Sequence, residues 1–252
     1  MMNEPKSKNL VALVTGGSRG IGRAIAERLA ATCAETVIVN YLQNDAEAEK
    51  TSKLIAAQNA RCVLAKANLL YPEEIDKLFE QIKASVDHLD AFVHGAALGT
   101  FKPLLTIKPN QWDLTMNINA RAFLLCVQKV APLMPAGKIV ALSSLGSQRV
   151  VPNYGAMGPT KSALEAMIKY LAVELAPVGI QVNGVSGGFI QTDSITKFPE
   201  AEKFIEEVRR RTPAQRLGAP DDIAGVVMFL LSPAASWIYG QTIVADGGLS
   251  LL

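Results

Sequence analysis

The sequence predicts an α/β fold, a doubly wound parallel sheet of about seven strands with helices on both faces. Three observations carry this. Short β-branched runs alternate with helical patterns along the whole chain, the runs are apolar at consecutive positions, and the first ends in a cluster of glycines. Continuously apolar strands are buried on both faces, which marks a parallel sheet between helical layers. Right-handed crossovers then wind the sheet outward from a switch point, where ligands bind.

Leu10–Thr15 is the first expected strand, and Gly20–Thr32 follows with Ile21, Ala24, Ile25 and Leu29 at helical spacing. Thr36–Tyr41 is a second strand, Asp45–Gln58 a charged amphipathic helix and Cys62–Lys66 a short third strand. Pro72 opens the next helix with Glu73 and Glu74 in its first turn, where carboxylates suit the helix dipole. Asp90–His94, Lys138–Ser143, Gln181–Val185 and Thr242–Ala245 complete the strands. Between them lie a long helical stretch over Gln111–Leu133 and a helix running to Leu175. Pro199–Arg211 and Asp221–Leu231 are the last helices. No repeat or Pro/Gly-rich linker divides the chain, so residues 1–252 are expected to form one domain.

Composition narrows the function classes. Apolar residues make up 49% and the net charge is +2, which excludes intrinsic disorder and gives no sign of a nucleic-acid binder. The three cysteines fit neither a disulfide framework nor a zinc site and read as buried small residues in a reducing compartment. No apolar run reaches the ~18 residues of a membrane span. The opening MMNEPKSKN is no secretory signal, so a cytoplasmic protein is expected.

The first strand runs into Thr15-Gly16-Gly17-Ser18-Arg19-Gly20-Ile21-Gly22. Glycines let the backbone approach a pyrophosphate closely, and the following helix turns its free N–H groups toward that anion. An acidic residue ending the second strand would bind the ribose 2′-hydroxyl of NAD. Asn40 and Tyr41 stand there instead, and no carboxylate appears before Asp45. Arg19 can meet a 2′-phosphate, since guanidinium matches phosphate geometry. NADPH is therefore the expected cofactor. Neither His88 nor His94 has partners at metal-ligand spacing, and no metal is expected.

At this point the chain resembles the short-chain dehydrogenase/reductases, from Leu10 to Gly248. The resemblance rests on the TGGSRGIG turn, His94-Gly95-Ala96-Ala97 after the fourth strand, and Asn117 in a long helix. It also rests on Ser143-Ser144, a tyrosine and lysine in the next helix, and the closing Asp246-Gly247-Gly248. It implies a Rossmann-type sheet and a cofactor site built from Gly16, Ser18, Arg19, Gly20, Ile21, Gly22, Asn40 and Tyr41. Asn68, Leu69, Gly95, Ala96, Ala97, Asn117, Lys161, Gly187, Gly188, Ile190 and Thr192 complete that implied site. The chain also departs from the family: HGAA replaces Asn-Asn-Ala-Gly, Asn68-Leu69 replaces Asp-Val, and Ser186-Gly187-Gly188 replaces Pro-Gly. The family's tyrosine lies four residues before its lysine. Met157 occupies that position here, and Tyr154 lies seven before Lys161, while Ser144 keeps its usual offset.

The Tyr-x-x-Met-x-x-x-Lys pattern, with MNINARAFLLC, LSSLGS and VSGG, is similar to a divergent branch, the NADPH-dependent type III enoyl-[acyl-carrier-protein] reductases. Chemistry gives the shift a meaning. On a helix, seven residues return to within about 20° and four to within about 40°, so either position can face the lysine, displaced ~4.5 Å along the axis. Gly155, Gly158 and Pro159 put Tyr154 at the helix start or in the loop before it. In a ketone, the carbon taking hydride and the oxygen taking the proton are bonded. In a 2-enoyl thioester, hydride enters at C3 and charge develops on the carbonyl oxygen two carbons away, so the acid stands further off. Tyr154 would stabilise or protonate that enolate oxygen, Lys161 would hold the nicotinamide ribose and supply an ammonium field, and Ser144 would be a second donor. The alternative is a 3-oxoacyl or other ketone or aldehyde reductase of the same fold, and a remote one is a non-catalytic NADPH-binding regulatory protein.

Residues 193–215 are the expected substrate lid. Phe198, Phe204 and Ile205, beside Lys197 and Lys203, would line an acyl channel, and the run Arg209-Arg210-Arg211 would meet an acidic acyl carrier protein or form a solvated helix face. The apolar end, Leu251-Leu252, is expected at the interface of a homo-oligomer, and the resemblance implies a tetramer.

Overall fold

The computed structural model describes residues 9–192 and 201–252. Its sheet has seven parallel strands: β1 (Leu10–Thr15), β2 (Ala34–Tyr41), β3 (Arg61–Lys66), β4 (Ala91–His94), β5 (Gly137–Ser144), β6 (Ile180–Gly187) and β7 (Thr242–Ala245). They lie in the order β3-β2-β1-β4-β5-β6-β7, so the chain reverses direction across the sheet between β1 and β4. The doubly wound, Rossmann-type prediction holds; β2, β3, β5 and β6 run one to three residues longer than expected, β1 and β7 match, and β4 starts one residue later, at Ala91.

Alternation along β1 shows how one apolar run serves two layers. Leu13 packs into a core with Phe79, Ile82, Phe123, Leu164 and Ile168, while Ala12 and Val14 pack with Ile25, Leu29, Val227 and Leu230. The first layer is made by α3 (Pro72–Ser85), α5 (Ala122–Val130) and α6 (Met157–Leu175). The second is made by α1 (Gly20–Thr32), α2 (Asp45–Ala56) and α8 (Pro220–Leu231). Phe92 and Phe123 are fully buried, each stabilising the fold by roughly 1.5–3 kcal/mol.

The helix predicted over Gln111–Leu133 is interrupted. α4 (Pro109–Met116) passes into a π-turn at Asn117–Arg121 before α5 begins, and Ala122 N–H donates to the Asn117 carbonyl five residues back. The extra residue in that turn rotates the chain and buries Asn119. α7 (Ala201–Arg211) lies within residues 193–215, the expected lid. Of the expected lid, Lys197, Phe198 and the side chain of Phe204 lie outside the described residues. The cysteine expectation needs correcting: all are free thiols, but only Cys126 is buried, and Cys33 and Cys62 are half-buried. No helix among the described residues is long and apolar enough to cross a membrane, and none of their His, Cys, Asp and Glu side chains cluster as a metal site.

Candidate active site

A cleft of about 430 Å³ opens at the carboxyl ends of the strands, over the β1/β4 switch point. Its floor is the glycine turn. Gly16 has φ +67°, and a Cβ there would stand 3.0 Å from the backbone of Gly95 and Ala96. A Cβ on Gly22 would stand 2.2 Å from the Gly16 carbonyl oxygen. Backbone packed this closely tolerates no side chain at either position. Gly20, at φ +55°, faces open space apart from Thr192, and Arg19 precedes α1 without a side-chain cap. The first turn of α1 thus presents its N–H groups and positive dipole end to the cleft. Ser18, Arg19 and Ile21 line the same wall. This cradle fits a dinucleotide pyrophosphate.

The flanking segments complete the wall. Asn40 and Tyr41 end β2, and Asn68 and Leu69 follow β3. The buried Asn40 amide donates to the carbonyls of Ala65 and Ala67 at 3.1 and 3.3 Å, tying the two strand ends together. Glu74 accepts from Asn68 N–H, and Arg121 donates to the Leu70 carbonyl, fixing the loop after β3. Gly95, Ala96 and Ala97 line the cleft after β4, and Gly187, Gly188, Ile190 and Thr192 line it after β6.

His94 is packed beneath this surface between Phe92 and Phe123. The Thr15 hydroxyl oxygen accepts from Gly95 N–H and lies 3.1 Å from His94 Nδ1. His94 Nε2 has no partner among the described residues. Burial, with the nearby Lys161 charge, pushes the His94 pKa down to about 3. His94, the last residue of β4, is a neutral ring packed in the core.

The polar chemistry gathers around α6. Lys161 is buried, and its Nζ donates to the Leu142 carbonyl at 2.7 Å. Burial lowers its pKa to about 8, opposed by the Glu165 carboxylate. Glu165, one turn along the same face, accepts from the hydroxyls of Ser143 and Ser147 at 2.5 and 2.6 Å and from Gln148 at 3.2 Å. Tyr154 precedes α6, in the loop the sequence suggests. Its backbone is bridged to Lys102, and Gly155 N–H donates to the Lys102 carbonyl at 3.3 Å. Its ring lies against Gly146, where a Cβ would meet Cδ1 at 2.4 Å. Desolvation raises the phenol's pKa, and a hydrogen bond with Ser144 opposes this. Tyr154, Ser144 and Lys161 all line the cleft.

The fit fails at one position. Asn117 does not line the cleft; the π-turn turns it away and buries Asn119 instead. Asn119 Oδ1 accepts from Leu98 N–H at 2.9 Å, and its amide approaches Met157 Sδ at 3.2 Å and Thr160 Oγ1 at 3.3 Å. Met157 fills the space between Asn119 and Gly99, where the usual tyrosine would stand. Besides Asn119, sequence reasoning missed Glu165, whose signal is its position four residues after Lys161 on one helical face. Farther out, Arg209 and Arg210 are exposed and paired with Glu206 and Glu207.

Residues 16–250 match the family model described as Enoyl-(Acyl carrier protein) reductase. The 1-cyclohexenylcarbonyl-CoA reductase of Streptomyces collinus is 39% identical over 259 residues, covering 100% of this chain and 92% of that protein. A 3-oxoacyl-[acyl-carrier-protein] reductase of Synechocystis is 34% identical over 243 residues, covering 95% and 96%. Among solved structures, angucycline C-6 ketoreductase LanV with bound NADP superposes with a TM-score of 0.89, at 32% identity and 96% coverage of each chain. With its parallel sheet, glycine turn and Tyr154–Lys161 cleft, the chain belongs to the short-chain dehydrogenase/reductase family and is an oxidoreductase.

Proposed function

We propose that this protein is an NADPH-dependent reductase of acyl thioesters, and that the bond it reduces is the 2,3 double bond of a 2-enoyl group. The observation carrying this reading is the position of Tyr154, seven residues before Lys161 and lining the cleft with Ser144, with Met157 at the usual tyrosine position. When bound, NADPH supplies the hydride. Gly16, Gly20 and the first turn of α1 hold its pyrophosphate, Arg19 and Tyr41 flank its adenosine ribose, and Lys161 holds the nicotinamide ribose. Tyr154 remains a protonated phenol at neutral pH because burial raises its pKa. It donates to the thioester oxygen as negative charge develops there, with Ser144 beside it as a second donor. Leu98, Phe101, Val151 and Met157 form an apolar end of the cleft that suits an acyl chain.

The comparisons back carbonyl reduction more strongly than double-bond reduction, since the Synechocystis relative and LanV are named as reductases of oxo groups. The Streptomyces relative's name describes an unsaturated thioester. Incubation of the protein and NADPH with crotonyl or acetoacetyl thioester separates the two readings by loss of nicotinamide absorbance. Turnover of crotonyl substrate is expected; turnover of acetoacetyl substrate alone overturns the enoyl reading. The thioester is carried by an acyl carrier protein in this proposal, with Arg209–Arg211 as its docking charges. Triple charge reversal there is expected to raise KM for the carrier-bound substrate, and an unchanged KM removes that docking site. Exposed Leu251, Leu252 and Trp237 support assembly into a homo-oligomer, with a tetramer proposed.

A further inference from the structure

Beside the proposed adenosine end of the cleft lies an exposed ion pair, Lys66–Asp45, whose members do not line the cleft themselves but hold Tyr41, which does. In the β2–β3 register Tyr41 lies directly opposite Lys66. Asp45 begins α2, four residues after Tyr41 and three after Leu42, both of which line the cleft. Its Oδ1 accepts from the Tyr41 hydroxyl at 2.9 Å, and both its oxygens accept from Lys66 Nζ, at 2.9 and 3.0 Å. Lys66 Nζ also lies 5.9 Å from the Tyr41 ring centroid. These contacts hold the Asp45 carboxyl below its usual range, so it is an anion at neutral pH. An anion near the end of β2 favours a free ribose 2′-hydroxyl and repels a 2′-phosphate.

We propose that Lys66 and Asp45 form a coenzyme-selecting clasp, in which Lys66 neutralises a carboxylate that would otherwise exclude a 2′-phosphorylated nucleotide. Lys66 is the specificity residue for the phosphate, Asp45 is the residue it restrains, and Tyr41 mounts both beside the ribose. The inference rests on the NADPH reading and makes a demand that reading alone does not. The two partners of one ion pair must act with opposite signs. Removing the cation leaves Asp45 as an uncompensated negative charge beside the phosphate. Removing the anion frees Lys66 to pair with the phosphate itself.

The test is equilibrium binding of 2′,5′-ADP and 5′-AMP to the purified full chain by calorimetry, in the wild type, Lys66→Met, Lys66→Arg and Asp45→Asn. Lys66→Met is expected to weaken 2′,5′-ADP roughly fivefold and Asp45→Asn to tighten it by about as much, the scale of an exposed ion pair. Lys66→Arg is expected to retain the wild-type ratio, AMP affinity is expected to move less than twofold, and both effects should shrink at high salt. If Lys66→Met and Asp45→Asn move the 2′,5′-ADP to AMP ratio in the same direction, or not at all, the clasp is overturned. Wild-type preference for AMP overturns the NADPH reading separately, because the opposite signs of the two variants remain readable in that case.

Discussion

The two ends of the cleft use charge in contrasting ways. Beside the proposed adenosine end, Lys66 and Asp45 are exposed to solvent in their ion pair, and water absorbs much of any change. At the reacting end, Lys161, Glu165 and His94 are buried, each hydrogen-bonded to a group fixed by the sheet or by α6. Burial moves Lys161 to about 8 and His94 to about 3, whereas the exposed groups answer mainly to their paired neighbours. The lesson is that selection of a ligand by charge can be retuned by single surface substitutions, but proton chemistry cannot. A buried charge depends on every group around it.

Four measurements sharpen or break this contrast, from the largest effect to the smallest. Tyr154→Phe removes the acid while keeping the ring against Gly146. It is expected to cut kcat by about 10²–10⁴ with cofactor affinity unchanged; full turnover in stopped-flow assays would reject the acid role. Acid stability comes next. His94 is held neutral well below its ordinary value, so its contribution is complete above about pH 6.5 and is lost as pH falls toward about 3. The slope is at most about 1.4 kcal/mol per pH unit. Urea midpoints at pH 7, 6, 5 and 4 should fall more steeply for the wild type than for His94→Asn, and parallel curves would contradict the buried-ring assignment.

Lys161 provides the third. Its ammonium is lost as pH rises past about 8, so kcat/KM is expected to fall on an alkaline limb near that value. Glu165→Gln removes the charge that holds the lysine up, so the limb should shift to lower pH; a limb that stays in place would detach Glu165 from the lysine. The smallest effect belongs to the surface. Glu207→Gln, which breaks the exposed Arg210 pair, is expected to change stability by less than about 0.5 kcal/mol in thermal melts.

The sheet was legible in the sequence because its central strands are apolar on both faces and β1, β4, β5, β6 and β7 each run into a glycine-bearing turn. The glycine turn lining the cleft was legible because backbone packed this closely requires glycine at Gly16 and Gly22. The misreading at Asn117 has a definite cause. In a regular helix Asn117 and Asn119 face different directions, and only the extra residue of the π-turn decides which is buried. The Lys66–Asp45 pair was hidden differently. Its members are 21 residues apart and meet only because the parallel register sets Tyr41 beside Lys66. Glu165 looked like one more helix carboxylate, because its three hydrogen-bond donors come from the β5 end and the following turn.

The mounting of Tyr154 has a consequence for selectivity. Its backbone is bridged to Lys102, on the segment that carries Phe101 and Leu104 past the mouth of the cleft. A guest that displaces this rim also displaces the phenol from its seat against Gly146. If Tyr154 is the proton donor of the proposed reaction, such a guest would also shift that donor, so selectivity would reside in the mounting of the acid as much as in the shape of the pocket.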